Sequence, residues 1–435
     1  MFVDPAANLY FGNGFISSTW FAQTKDEFWA GYPFLHAFLL YLWMQLFGFG
    51  LYTAHSLNWL LIVVCTLMLW KSVIRLNIVK SARLRLILIT LVLLQLAYIS
   101  NGEKGRPDIL MACLAIASLL VYSIRISWLR YILLTFLCAL FPLSGLALLA
   151  YALVISSLIL IYLKKSFLKD FAFIISGLII GCLSIYIFYS INGVWDGFVA
   201  SIINNPTLLN SSQRYKFGGL FGNKILSISM ILCFILVVYK LIKNQFIQFS
   251  ILSFGAILIL WVPIGMRLAG AFQTSYSWML VIPLIVCIVS SLDVSFITGF
   301  EQRMKLSILG LLLILCLVCS PYTNFVNICL NWSSYEYLPV ENFVQHNIKK
   351  NELIYSDSIA YFATKQGGRM VIWYPYLNVI SNKESQKIDV LIIRAQDIQI
   401  LKNKLRGSWY KTGKILIVRD KENSVKLEIY RKEPV

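Results

Sequence analysis

Charge is what this sequence has least of. Asp, Glu, Lys and Arg make up 13% of its 435 residues, against roughly 25% in an ordinary soluble domain. Acids are the scarcest: of the twenty Asp and Glu residues only nine precede residue 330. Long uncharged runs recur as far as residue 322, which excludes a soluble globular fold there and predicts a polytopic α-helical membrane protein. Cysteine offers no framework either. Eight of the nine (Cys65, Cys113, Cys138, Cys182, Cys233, Cys287, Cys316, Cys319) lie inside apolar runs and only Cys329 lies outside, so a disulfide scaffold is excluded and no metal-ligand spacing appears. Repeats and low-complexity segments are absent. The net charge of +18 does not indicate nucleic acid, because the cations fall in short clusters between apolar runs, as in the loops of membrane proteins.

Taking a span as about 20 apolar residues, ten candidates follow residue 53: 54–70, 86–100, 108–124, 131–143, 145–163, 171–191, 224–241, 246–265, 275–295 and 306–322. Pro142 and Gly145 are read as the turn after the short fourth. An eleventh run, 34–52, is interrupted by Gly48 and Gly50 and reads as a re-entrant or interfacial helix. One set of alternate loops, from Lys71 to Lys305, holds fourteen basic residues; the other holds seven, namely Lys25, Lys104, Arg106, Arg214, Lys216, Lys224 and Arg267. The positive-inside rule makes the richer set cytoplasmic. The N-terminal stretch and the C-terminal part then face outward, in an integral protein of the bacterial plasma membrane.

The acids divide the opposite way. Six of the nine (Asp4, Asp26, Glu27, Glu103, Asp108, Asp196) belong to the outward face. Solubility does not require this, and carboxylates gathered beside a few cations and many aromatics suit a site handling a polar substrate. The first thirty-six residues concentrate them, with Asp4-Pro-Ala-Ala-Asn8-Leu-Tyr10-Phe-Gly12-Asn-Gly14 followed by Lys25-Asp26-Glu27 and Tyr32-Pro33-Phe-Leu35-His36.

Beyond the last span the composition changes. Residues 335–435 carry seventeen of the thirty-eight basic residues and eleven of the acids. Short β-branched runs at 352–355, 369–373, 389–393, 414–418 and 426–430 alternate with helix-like stretches at 359–365 and 397–405. This predicts a small extracytoplasmic α/β domain. It has no phosphate-cradling glycine loop and no nucleophile–base triad, which leaves it a substrate-shaping or structural role. The chain thus divides into an outward surface loop with a juxtamembrane helix (1–53), a bundle of about ten helices (54–322) and the α/β domain (335–435).

An outward first loop with an acid, an Ala/Asn-rich helix, Gly12-x-Gly14, the turn Pro33-Phe-Leu-His36 and an apolar run ending Phe47-Gly48 resembles the GT-C glycosyltransferases of the protein mannosyltransferase and aminoarabinose transferase type. Gly105-Arg106-Pro107-Asp108 resembles that family's second acidic position, and Gln273-Thr-Ser-Tyr276-Ser-Trp278 its late Tyr-rich segment. The resemblance implies transfer of a sugar from a polyprenyl-phosphate donor to a glycan, lipid or protein acceptor on the outward face. A carboxylate orients or deprotonates the acceptor hydroxyl, and cations hold the departing phosphate, whose low basicity removes the need for a general acid. Asp4 and Asp108 are then the candidate catalytic carboxylates, joined by Glu103, with Asp26 and Glu27 in reserve. Lys25, Arg106, Arg214, Lys216 and Arg267, with Tyr276, are the candidates for binding substrate and phosphate. The resemblance assigns no metal ligand and leaves a divalent cation open as the one cofactor.

Each residue also has a structural alternative. Asp108 follows Pro107 at a helix start, where the dipole favours an acid, and Asp4 before Pro5 suits a helix cap. Asp26-Glu27 suits a solvated turn, Arg214 and Lys216 suit lipid headgroups, and Tyr276 and Trp278 suit an interfacial belt. His36 suits a packed, hydrogen-bonded residue. The chain departs from the family in one respect: counted back from Gly12, the family's principal acidic pair would fall before Met1. Asp4 would then be a neighbour of that pair, and a start at an internal methionine or a truncated gene is the expectation. The rival readings are a non-catalytic or degenerate relative that binds lipid-linked glycans, and a lipid or polysaccharide transporter.

Overall fold

The computed structural model describes residues 2–102 (except 21 and 22), 106–146, 167–208 and, less a few short stretches, 336–433, with scattered positions at 148–152 and within 231–311. A short helix α1 (Asp4–Tyr10) is followed by an irregular loop and α2 (Leu35–Phe47). At 13 residues α2 is about 20 Å long, shorter than the run 34–52 in which it lies. Gly48 ends it in the left-handed region (φ +83°), where a side chain would strain the backbone.

The bundle continues through α3 (Leu51–Arg75), α4 (Ala82–Gly102), α5 (Asp108–Tyr122), α6 (Ser127–Ser144), α7 (Phe167–Ile191) and α8 (Trp195–Leu208). Three described helices, Leu51–Arg75, Ser127–Ser144 and Leu168–Ile191, are long and apolar enough to cross a membrane. Four expected spans fall within or nearly within α3, α4, α6 and α7, and 108–124 matches α5 to within two residues. In α6 the sequence reading needs correction. The helix runs through Pro142 to Ser144 and stops at Gly145, so Pro142 is not in the turn. The expected spans 145–163, 224–241, 246–265, 275–295 and 306–322 lie largely outside the described residues.

Small residues set the α6–α7 contact. A Cβ on Gly177 would lie 2.4 Å from the Thr135 carbonyl oxygen, and one on Gly181 would lie 2.2 Å from that of Ala139. The two glycines are one turn apart and let the backbones meet, the usual device where lipid removes the hydrophobic drive between helices. At the other end of the pair, Arg130 Nη2 lies 3.3 Å from Asp170 Oδ1, and Tyr131 stacks on Phe173. Asp170, one of the few acids outside the outward set, is thereby buried with a partner.

The C-terminal residues form a five-stranded mixed sheet in the order β2-β1-β3-β5-β4. The strands are β1 (Ile354–Ser356), β2 (Val371–Ile372), β3 (Val390–Arg394), β4 (Trp409–Asp420) and β5 (Asn423–Lys432). Helix α9 (Leu338–Asn347) precedes it, and the short helices α10 (Tyr361–Lys365) and α11 (Asn382–Ser385) cross between the parallel strands. β3 reads as an unbroken apolar run because both of its faces are covered. Against one face lie Tyr376, Leu377, Ile388, Leu401 and Leu405. On the other, Val390, Ile392, Leu427 and Ile429 belong to a buried cluster that also takes in Val3 and Ala6 of α1, Leu40 and Met44 of α2, and Ala54 and Leu57 of α3. The sheet therefore shares a core with the first helices.

Candidate active site at the N-terminal loop

The loop from α1 to α2 is held open by its own chemistry. Gly12 and Gly14, both at positive φ (+77° and +88°), turn the chain off α1. Asn8 Nδ2 then donates to the Ile16 carbonyl at 2.8 Å. The Trp29 amide donates to the Phe15 carbonyl at 2.6 Å, closing the loop on itself. Between these ties Phe15, Trp20 and Trp29 are buried against Phe2, Tyr32, Phe38 and Phe188. Trp20 can lie there because residue 31 is glycine: a Cβ on Gly31 would sit 2.3 Å from Trp20 Cε2. Its indole Nε1 donates to Ser201 Oγ, which in turn donates to the Gly31 carbonyl, each at 3.2 Å. The Tyr189 hydroxyl donates to the Tyr32 carbonyl at 2.7 Å, so α7 and α8 both hold the loop.

Asp4 lies wholly inside this assembly, with a side-chain exposure of 0%. It is the first residue of α1, and no side chain caps that helix, so the N-cap alternative is not the geometry seen. Its Oδ2 accepts from the Ser18 amide at 2.9 Å and from Ser17 Oγ at 3.0 Å. Its Oδ1 accepts from the Tyr361 hydroxyl at 2.6 Å and lies 3.4 Å from Lys365 Nζ, itself fully buried. Lys365 Nζ also donates to Asn8 Oδ1 at 2.6 Å. Burial and the neighbouring Asp4 carboxylate push the Tyr361 hydroxyl well above its ordinary value, so it stays a donor. Asp4 and Asn8, four apart on α1, thus face Tyr361 and Lys365, four apart on α10. A substrate could reach the Asp4 carboxylate only by displacing the α/β domain.

Asp108 is placed differently. It opens α5 immediately after Pro107, buried, and Arg106 Nε donates to its Oδ2 at 2.7 Å. Its Oδ1 is buried and has no hydrogen-bond partner. Buried carboxylate oxygens are rarely left so, and each exception asks for an explanation. The carboxylate bonds to Arg106 rather than capping its own helix. The Arg106 guanidinium lies 5.4 Å from the centre of the Phe2 ring, which packs edge-on against Trp20 and Tyr32. The Arg106–Asp108 pair is therefore built against the same loop that contains Asp4, two residues beyond Phe2.

Lys25 has partners of its own. Its Nζ lies 2.8 Å from Asp26 and 3.7 Å from Glu384, and its amide donates to the Tyr376 hydroxyl at 3.0 Å. Asp26 is largely exposed, as a solvated turn requires. Glu103, Arg214, Lys216, Arg267 and Tyr276 lie outside the described residues. His36 is buried in α2, and its Nε2 has no hydrogen-bond partner. Among the described residues no three His, Cys, Asp or Glu side chains converge as a metal site would need. A pocket of about 600 Å³ opens on the sheet domain between Lys349, Glu352, Asp389, Tyr410, Arg431 and Lys432. It contains no candidate residue, and Arg431 there is committed to Glu352 and to the Asn347 carbonyl.

The residues that sequence reasoning missed are Tyr361 and Lys365. Their signal is a lysine closing the apolar stretch Ile359-Ala-Tyr-Phe-Ala-Thr-Lys365, where a solvated helix would carry more polar side chains.

No protein-family model and no curated protein matches this chain by sequence. Among solved structures, ArnT from Cupriavidus metallidurans in the apo state is similar at a TM-score of 0.58 and 12% identity, covering 98% of this chain and 93% of that one. The same protein bound to undecaprenyl phosphate is similar at a TM-score of 0.55, with the same identity and coverage. At that identity the likeness is one of fold. The chain, a bundle of apolar helices joined to a small C-terminal sheet domain, shares its fold with ArnT, a likeness that agrees with the GT-C resemblance of its sequence.

Proposed function

We propose that the chain transfers a sugar from a polyprenyl-phosphate donor to a glycan, lipid or protein acceptor on the extracytoplasmic face of a bacterial plasma membrane. The observation that carries this reading is Asp108: a buried carboxylate with one oxygen held by Arg106 and the other unpartnered, at a helix end beside the first loop. In the proposed step Asp108 Oδ1 takes the proton of the acceptor hydroxyl as its oxygen attacks the anomeric carbon. The bond from that carbon to phosphate oxygen breaks, and polyprenyl phosphate leaves as an anion that needs no proton. Arg106 orients the carboxylate and places a fixed positive charge beside the departing phosphate. Arg214, Lys216 and Arg267, with Glu103, belong to loops that the charge bias puts on the same face, Tyr276 lies where the span 275–295 begins, and together they complete the proposed site. Asp4 is assigned to the scaffold, because both of its oxygens are engaged by Ser17, Ser18, Tyr361 and Lys365.

The burial of Asp4 favours a second reading, a relative that binds a lipid-linked glycan without transferring it, since of the candidate carboxylates Asp4 and Asp108 only Asp108 then keeps an unpartnered oxygen. Purified wild type and Asp108→Asn are compared for binding of undecaprenyl phosphate by native mass spectrometry, and for transfer from a panel of undecaprenyl-phosphate sugars. Transfer by wild type that the variant loses, with lipid binding retained by both, supports catalysis. Binding without transfer by either supports the second reading, and no lipid binding refutes both.

A further inference from the structure

The catalytic proposal uses neither Lys365 nor Tyr361, yet each is buried and aimed at the N-terminal loop from more than 350 residues away. We infer that the α/β domain positions the first loop through these two side chains, Lys365 and Tyr361 acting as positioning residues for the site beside Asp108. This rests on the proposed function only for what the loop serves. The attachment itself stands on the geometry.

The contacts are specific. Lys365 Nζ reaches both Asn8 Oδ1, at 2.6 Å, and Asp4 Oδ1, at 3.4 Å, and Tyr361 donates to Asp4 at 2.6 Å. The domain also accepts from the far side of the loop. Ser18 Oγ donates to the Val371 carbonyl at 2.6 Å and Asn13 Nδ2 to the Gly368 carbonyl at 3.1 Å. The loop is therefore gripped at α1 by charge and at residues 13 and 18 by backbone acceptors that lie just beyond α10. Nothing in burial alone demands a charged pair here, since apolar residues of similar volume often pack as stably. A buried pair does fix one register: sliding α1 along α10 by a turn would leave two buried charges unmatched. Asp4 is two residues from Phe2, on which Arg106 rests, so the register of α1 on α10 sets the position of the Phe2 wall.

The test uses the full chain in detergent and compares Lys365→Met, Tyr361→Phe, Asp4→Asn and Asp4→Asn/Lys365→Met by hydrogen–deuterium exchange. Lys365→Met should raise exchange of amides 6–20 at least tenfold, with β3 and the α6–α7 pair unchanged. The double variant, which removes both charges, should return these amides toward the wild-type rate. Tyr361→Phe should produce a smaller change confined to the same amides. Equal exchange in wild type and Lys365→Met overturns the inference. So does a double variant whose loop exchanges as fast as the single one, or an Asp4→Asn/Lys365→Met protein that unfolds with Lys365→Met. None of these readouts requires a lipid. Undecaprenyl phosphate binding and the KM-against-kcat split of any transfer then test the link to the site. If wild type binds no lipid while the exchange pattern holds, the proposed function fails and the attachment stands.

Discussion

Replacing Asp108 by Asn separates catalysis from scaffolding because the two predict effects of different size. The carboxylate is 3% exposed and receives Arg106 Nε at 2.7 Å. A hydrogen bond to a charged group contributes about 1.5–3 kcal/mol and a neutral one about 0.5–1.5. Asn keeps an acceptor oxygen of nearly the same position, so the loss should be about 1–2 kcal/mol. Arg106, at 19% exposure, recovers part of that from water. The melting temperature in detergent should therefore fall by only a few degrees. If Oδ1 accepts the acceptor's proton, turnover should fall by roughly 10²–10⁴-fold, equivalent to about 2.7–5.4 kcal/mol of barrier. Melting, lipid binding and initial transfer rate are measured on the same purified variant. A variant that keeps at least half of wild-type turnover refutes the role given to Asp108. A melting temperature lowered by tens of degrees, with normal turnover in the surviving folded fraction, assigns the residue to structure alone.

Three further outcomes follow from the packing. Gly177→Ala gains about 1 kcal/mol of helix propensity, but its Cβ would meet the Thr135 carbonyl at 2.4 Å; the backbone cannot yield as a side chain can, and overpacking of about 1–3 kcal/mol should lower the melting temperature. An unchanged or raised value would show that α6 and α7 separate readily. Gly31→Ala should expel Trp20 from its place beside Ser201, read as a red-shifted tryptophan emission and faster exchange of the loop, and a wild-type spectrum would contradict the contact. In the sheet, burial alone would raise the Glu428 carboxyl, but hydrogen bonds from Lys411 and Tyr430, with the Lys411 charge, hold it below its ordinary value. The unfolded chain then binds the proton more readily, so this stabilisation is present above the ordinary carboxylate range and lost as pH falls through the folded value. Glu428→Gln should flatten the acid limb of the stability profile of the β4–β5 hairpin, and an unaltered limb would refute the linkage.

Elements whose signal is local could be read from the chain. Each of the five β-branched runs predicted after residue 335 contains or overlaps a strand, and β4 only extends further, because its edge position lets Lys411 and Lys414 face solvent. The apolar run at 34–52 is a short helix ended by Gly48, as the glycine suggests. Helix α11 was legible and passed over: Ser381-Asn-Lys-Glu384 spells a capping box, with the Ser381 side chain accepting from the Glu384 amide. Pro142 misled because proline in a soluble helix is a stop, whereas a membrane helix packed against glycines tolerates it.

The candidate site divides along the same line. That the acids before residue 330 gather in a few loops is visible in the sequence, since scarcity makes each one conspicuous. Which of them is available for chemistry is not, because availability depends on what the remainder of the fold brings to its oxygens. Asp4 and Asp108 look alike in sequence, each an acid next to proline at a helix start. Asp4 meets Ser17 and Ser18 from its own loop and Tyr361 and Lys365 from the far end of the chain. Asp108 meets Arg106, two residues away, and keeps one oxygen without a partner. The arginine could be inferred from Arg-Pro-Asp. The lysine could not, since no periodicity links residue 4 to residue 365, and only the docking of α1 on α10 gives one of two similar carboxylates a full set of partners while the other keeps an oxygen without one.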